Sequence, residues 1–152
     1  MKYSAIDKKL FQLNREKFTK KLNNNSIAIF QSNDEYPRSG DQTHTFKQNP
    51  DLFYLSGIDQ EQTVLILFPD CPNPLYREVL FLRQTSEHIA VWEGHKLSVQ
   101  EARKVSGIQN IYWLDEFWNI LPAIINYAEY IYLNTNENDR YAHEVPYRDI
   151  RF

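Results

Sequence analysis

Two apolar, β-prone runs, Thr63–Phe68 and Arg77–Leu82, flank a turn segment that contains Pro69, Pro72, Asn73 and Pro74. Runs of that length bounded by turn residues read as neighbouring strands of a hairpin, and no other stretch restricts the possible folds so strongly. A third compact run, Ser26–Phe30, has the length and residue types of a buried strand.

The segments around these strands read as helices. Ile6, Leu10, Phe11, Leu13, Phe18 and Leu22 recur at mixed helical spacings, which predicts one broad apolar face, ended by Asn23, Asn24 and Asn25. Asn49 followed by Pro50 is a helix start, and Gly57 a left-handed stop, so Asp51–Ser56 is a brief aromatic helix with Phe53 and Tyr54 expected in the core. Ser98 and Glu101 match a capping box that opens a helix over Val99–Ser106, closed by Gly107. Ile108–Trp113 returns to an extended habit. Asp115 is placed to cap a further helix carrying Phe117, Trp118, Ile120, Leu121, Ile124 and Ile125, with Pro122 either kinking it or opening a second short helix. Tyr130–Leu133 is a last strand. The order is that of an α/β fold, a mixed β-sheet flanked by helices. Residues 1–133 form the domain, and 134–152 read as a linker or arm. Between them the polar stretch Gln31–Asn49, with Thr43–Phe46 as a candidate short strand, is a long connection of the kind that often carries function.

Composition narrows the function. The chain has 152 residues with a formal charge of −3, and the cations of its first segment, Lys8, Lys9, Arg15, Lys17, Lys20 and Lys21, are interrupted by Asp7 and Glu16. They read as a solvated helix face, which argues against nucleic acid and against a membrane surface as partners. The longest apolar run, Val64–Phe68, is far below the roughly 20 residues that span a bilayer. One cysteine, Cys71, forms no internal disulfide and fits a reducing compartment, so the expected location is cytoplasmic.

Side chains that could perform chemistry are sparse. His88 and His95, with Glu87 and Glu93, come nearest to a metal cluster, but Gly94 interrupts their spacing and ordinary surface histidines are the plainer reading. Cys71 reads as a turn residue. Ser56-Gly57 lacks the second glycine of a nucleophile elbow, and four dispersed glycines build no phosphate cradle. No catalytic residue and no metal ligand is expected in this chain.

One longer motif goes further. Thr45-Phe46-Lys47-Gln48-Asn49-Pro50-Asp51-Leu52-Phe53-Tyr54-Leu55-Ser56-Gly57-Ile58 resembles the signature of the aminopeptidase P N-terminal domain of the creatinase and prolidase family. The strands Val64–Phe68 and Leu80-Phe81, and Val91-Trp92-Glu93-Gly94 ahead of the helix at Val99, keep the same order, so the likeness runs from about Phe11 to Leu133. Lys47 stands where arginine is common, and His95 follows Gly94 where a basic arginine is often found. The resemblance implies a ribonuclease H-like fold and the non-catalytic part of a metallopeptidase that removes an N-terminal residue preceding proline. It implies two metal ions, manganese as a rule, in a C-terminal pita-bread catalytic domain, here missing from a truncated chain. That domain, further copies of the chain in a homo-oligomer, and proline-containing peptides are the implied partners.

By the same resemblance Asp41 and Trp92 border the substrate mouth, one as a charged acceptor and the other as an apolar wall. A turn residue and a packing residue are their plain alternatives. Trp113, Phe117, Trp118 and Tyr147 are candidates for a contact patch. A free-standing binding or oligomerisation module, or a prolidase or creatinase relative, are the competing functions.

Overall fold

The computed structural model describes residues 6–85 and 95–135. The hairpin expected from the proline-rich turn is present. Strand β4 (Val64–Leu67) pairs antiparallel with β5 (Glu78–Leu82), with Val64 opposite Phe81 and Leu67 opposite Glu78. A single 3-10 turn, Pro74–Tyr76, joins them. Strand β1 (Ser26–Gln31) lies antiparallel on the other side of β4, and β6 (Asn110–Trp113) and β7 (Tyr130–Leu133) add parallel at the two edges, giving the order β6-β5-β4-β1-β7.

Side-chain alternation splits the sheet into two cores. Ala28, Phe30, Leu65, Leu67, Leu80 and Leu82 face α1 (Lys8–Thr19), α2 (Pro50–Ser56) and α3 (Val99–Ser106). Ile27, Ile29, Val64, Ile66, Val79 and Phe81 face α4 (Phe117–Ile125), together with Phe68 and Cys71. Cys71 is fully buried, a core residue more than a turn residue. The mixed sheet flanked by helices is the fold the sequence implies. At the β7 edge all four residues stay exposed, whereas the β6 edge is covered on both faces by Ile111 and Tyr112 packing.

Helix ends follow their residues closely. Asn49 Oδ1 accepts from the Asp51 and Leu52 amides, and Pro50 opens α2 where its missing N–H costs nothing. Ser98 and Glu101 form the complete capping box of α3. The two helices then end on the same three residues. In Ser56-Gly57-Ile58 the serine hydroxyl donates to Leu52 O at 2.7 Å and accepts from the Ile58 amide at 3.1 Å. In Ser106-Gly107-Ile108 it donates to Ala102 O at 2.7 Å and accepts from the Ile108 amide at 3.1 Å. Both glycines are left-handed, φ 71° and 75°, and both lie against α1: a Cβ on Gly57 would meet the Phe11 ring, and one on Gly107 the Gln12 amide.

That docking explains where α1 departs from its expected face. Phe11, Asn14, Arg15, Phe18 and Leu22 turn inward, while Ile6, Leu10 and Leu13 remain exposed. The last carbonyls of a helix need donors, and α1 supplies them: Asn14 Nδ2 donates to Tyr54 O at 2.8 Å, and Arg15 Nη1 donates to Leu55 O and Ser106 O at 2.8 and 3.0 Å. Arg15, read from sequence as part of a solvated face, is therefore 1% exposed, with Nε 3.1 Å from Glu78 Oε2. The helix C-termini place negative partial charge around the guanidinium. The five lysines of this segment are exposed as expected.

Four further expectations are corrected. Tyr54 is 52% exposed because the α2 face that meets the sheet is the one bearing Leu52 and Leu55; Phe53 is half-buried, edge-on to Phe11. Asp115 does not cap α4; it lies in a 3-10 turn, Leu114–Glu116, where the Glu116 carboxylate instead accepts from the Trp113 amide at 3.2 Å. Phe117 is buried against Phe81 at 5.1 Å and forms no surface patch, although Trp118 beside it is exposed. Pro122 lies within α4, which continues to Ile125 as one helix. The short strand expected at Thr43–Phe46 falls earlier, at Gln42–Thr43.

Candidate functional site

Strand register places the starts of the two segments singled out by sequence at one end of the sheet. Gln31 at the end of β1 pairs with Val64, Val64 with Phe81 near the end of β5, and Leu82 with Trp113. The segment after β1, which carries Asp41, and the segment after β5, which carries Trp92, both leave the sheet here, separated by the start of β4.

The first forms a small antiparallel hairpin. Strand β2 (Pro37–Ser39) pairs with β3 (Gln42–Thr43) around the turn Gly40-Asp41, with Gly40 at φ 58°. Every residue from Asp34 to Thr45 is exposed, so Asp41 sits at a solvent-facing tip, a turn residue in its local role. At the base, the His44 amide donates to Tyr36 O at 2.8 Å and the two rings lie 5.9 Å apart. Trp92, like His88, Glu87, Glu93 and Tyr147, lies outside the described residues. Of the two candidate mouth residues only Asp41 is thus placed, at the tip of the hairpin that follows β1.

The stems of both elements meet in a polar hub that sequence reasoning did not single out. Gln48 uses all four valences of its amide: Nε2 donates to Ile58 O and Gln60 O at 3.1 and 2.8 Å, and Oε1 accepts from the Asn33 and Asn49 amides at 3.3 and 2.7 Å. It binds the hairpin stem to the chain entering β4. Asn33 Nδ2 adds a bond to Lys47 O at 3.0 Å, and Ser32 and Thr63 exchange bonds through the Ser32 hydroxyl and backbone. The signal for Gln48 was present, since it lies inside the family-like signature between Lys47 and Asn49, but its role needed the fold.

Next to it lies Glu61, whose side chain is 7% exposed. Its Oε1 accepts from Arg83 Nη1 at 3.2 Å and from Lys96 Nζ. Burial pushes this carboxyl up, but hydrogen bonds from Lys96, from its own backbone and from Arg83 outweigh it and hold the group below the usual 4.5. His95, an exposed surface histidine ahead of α3, lies 3.1 Å from Glu101 Oε1. Glu101 is held below its usual value chiefly by the Ser98 backbone and side-chain bonds, with burial opposing and His95 contributing. Among the described residues no three of His, Cys, Asp and Glu are grouped to hold a metal ion. None of their helices is long and apolar enough to cross a membrane. The arrangement can position loops and present side chains.

A five-stranded mixed sheet with three helices on one face, a capped aromatic α2 and a polar hub at one sheet end define a domain of the mixed α/β class. The family profile described as "Aminopeptidase P, N-terminal domain" matches residues 11–132, and the chain belongs to that family. It is 25% identical to the Xaa-Pro aminopeptidase of Haemophilus influenzae over 85% of this chain and 30% of that protein. Human Xaa-Pro aminopeptidase 3 is 25% identical over 82% of this chain and 25% of its own length. Among solved structures, an aminopeptidase P from Bacillus anthracis superposes with a TM-score of 0.83 at 26% identity, over 93% of this chain and 34% of that one. The Pseudomonas aeruginosa aminopeptidase PepP gives 0.80 at 25% identity, over 90% and 30%. The chain thus spans about a third or less of the relatives it matches.

Proposed function

We propose that this chain is the non-catalytic N-terminal domain of a metal-dependent Xaa-Pro aminopeptidase, a hydrolase that removes N-terminal residues preceding proline. The observation that carries the reading is the family match over residues 11–132, in a chain that covers only 30% of the Haemophilus relative. In this reading the domain packs against a catalytic domain of the same protein, supports a homo-oligomer, and uses the hairpin tip at Asp41 and the segment of Trp92 to narrow peptide access. Two metal ions, manganese by expectation, belong to the catalytic domain; the His95–Glu101 pair, exposed and engaged in capping α3, has neither the number nor the convergence of donors such ions need. The buried lone Cys71 supports a reducing, cytoplasmic setting. Residues 134–152 serve as the link to the catalytic domain.

Peptidase assays on Xaa-Pro peptides with added manganese test this, run on the 152 residues and on the same chain joined to its downstream coding sequence. Turnover in the longer protein alone is the expected result. Turnover by the 152 residues unaided, or none by either protein, would overturn the proposal.

A further inference from the structure

We propose that the outer face of α1 is a docking surface for an anionic lipid bilayer. Leu10 and Leu13 lie a turn apart on one side of the helix and are 49% and 51% exposed. The inward side is complete without them, since Phe11, Asn14 and Arg15 fill the contact with the ends of α2 and α3. Tyr54, 52% exposed, extends the apolar strip, because the bond from Asn14 to its carbonyl seats it beside α1 one turn on from Leu10. Ile6, just ahead of the helix, is exposed as well.

Cations ring the two leucines. Lys9 and Lys17 lie four residues to either side of Leu13, and Lys20 and Lys21 follow at the end of the helix; all four are exposed. The acids of this segment are engaged: Asp7 caps α1 through the Lys9 amide at 2.9 Å, and Glu16 pairs with Lys20 at 2.6 Å. In a chain whose formal charge is −3, the face is a local concentration of positive charge around exposed leucines. A helix of this kind binds a bilayer by sinking apolar side chains to the headgroup boundary while its lysines stay among anionic headgroups. The helical pattern assigns Leu10 and Leu13 to the core and leaves only a solvated cationic face. With both leucines outside, that face gains the apolar half of a bilayer site.

Charge decides between this occupant and others. A second copy meeting the same face would bring four lysines against four lysines. Nucleic acid phosphates would attract the cations but leave the leucines in water. The other exposed apolar strip, Tyr130–Leu133, is bordered by Glu129 and Asp51, whose charges an anionic surface repels. The inference goes beyond the peptidase reading and does not depend on it.

The test is co-sedimentation of the whole protein with vesicles of phosphatidylcholine alone and of equal parts phosphatidylcholine and phosphatidylglycerol. Binding is expected to the mixed vesicles only, and to weaken about tenfold as salt rises from ~0.01 to ~0.15 M. Leu10→Ser with Leu13→Ser should lower the partition coefficient about tenfold or more. Lys9→Gln with Lys17→Gln should lower it by a similar factor and flatten the salt dependence. These exposed lysines support no part of the core, so that pair keeps the test decisive if the leucine variant fails to fold. Equal binding to neutral vesicles, no binding to mixed vesicles at low salt, or wild-type binding by either variant overturns the inference. A wild-type dimer in sedimentation velocity that the leucine substitutions dissociate, with no vesicle binding, also overturns it and assigns the face to a second copy.

Discussion

The helix-covered face of the sheet and the hairpin at its end treat polar groups in opposite ways. Under α1 the polar side chains are buried and answered one by one: Asn14 and Arg15 donate to the carbonyls that close α2 and α3, and two serines bridge the chain reversals after them. At Asp34–Thr45 nearly every side chain is in solvent. The contrast teaches that stability and presentation are assigned to different residues, so that one region tolerates substitution where the other does not.

The largest effect expected from breaking this division is at Arg15. Arg15→Leu leaves two buried carbonyls without their donor and Glu78 without its partner, and should cost about 3–5 kcal/mol, read as a lower urea midpoint. That is a large share of the roughly 5–15 kcal/mol available to an ordinary domain. The paired helix ends sharpen the comparison within the helix face. Gly57→Ala puts a Cβ 2.3 Å from the edge of the buried Phe11 ring and should cost about 3 kcal/mol, strain and overlap together. Gly107→Ala meets only the end of the Gln12 side chain at 2.9 Å, so the backbone strain alone, about 1 kcal/mol, should remain. Equal losses at the two glycines would mean that Phe11 yields as easily as Gln12.

Acid gives a smaller effect. Because the Glu61 carboxyl is held below its ordinary 4.5, its contribution is complete above that value and is lost as pH falls through the lowered one. Stability should therefore fall on acidification below about 4.5, and a Glu61→Gln variant should show a shallower decline in the same pH titration. The smallest effect belongs to the hairpin. Asp41→Asn should change the urea midpoint by no more than about 0.5 kcal/mol equivalent, and a larger loss would show that the hairpin is part of the fold's support.

Much of the fold can be read from local signals. The Asn49-Pro50 start and Gly57 stop of α2, the Ser98–Glu101 capping box and the proline-rich hairpin turn each depend on residues a few positions apart. What was not legible depends on distant partners. Arg15 looks like any surface cation until Leu55 and Ser106, 40 and 91 residues away, arrive beside it. Tyr54 faces outward, and Asp115 yields its expected capping place to a 3-10 turn, because packing against the sheet decides which face of a short amphipathic element is buried. The candidate site was legible only as far as the segment bearing Asp41 and the signature around Gln48. Glu61 carries no local mark, since its meaning comes from Arg83 and Lys96.

The Arg15 bonds also set a timetable for synthesis. Ser106 leaves the ribosome 91 residues after Arg15, which at about 5–20 residues per second is about 5–18 s. For that interval the nascent chain holds an inward-facing cation whose second acceptor does not yet exist. The first helix is made early and seated late, so the domain completes its packing only once α3 has been translated.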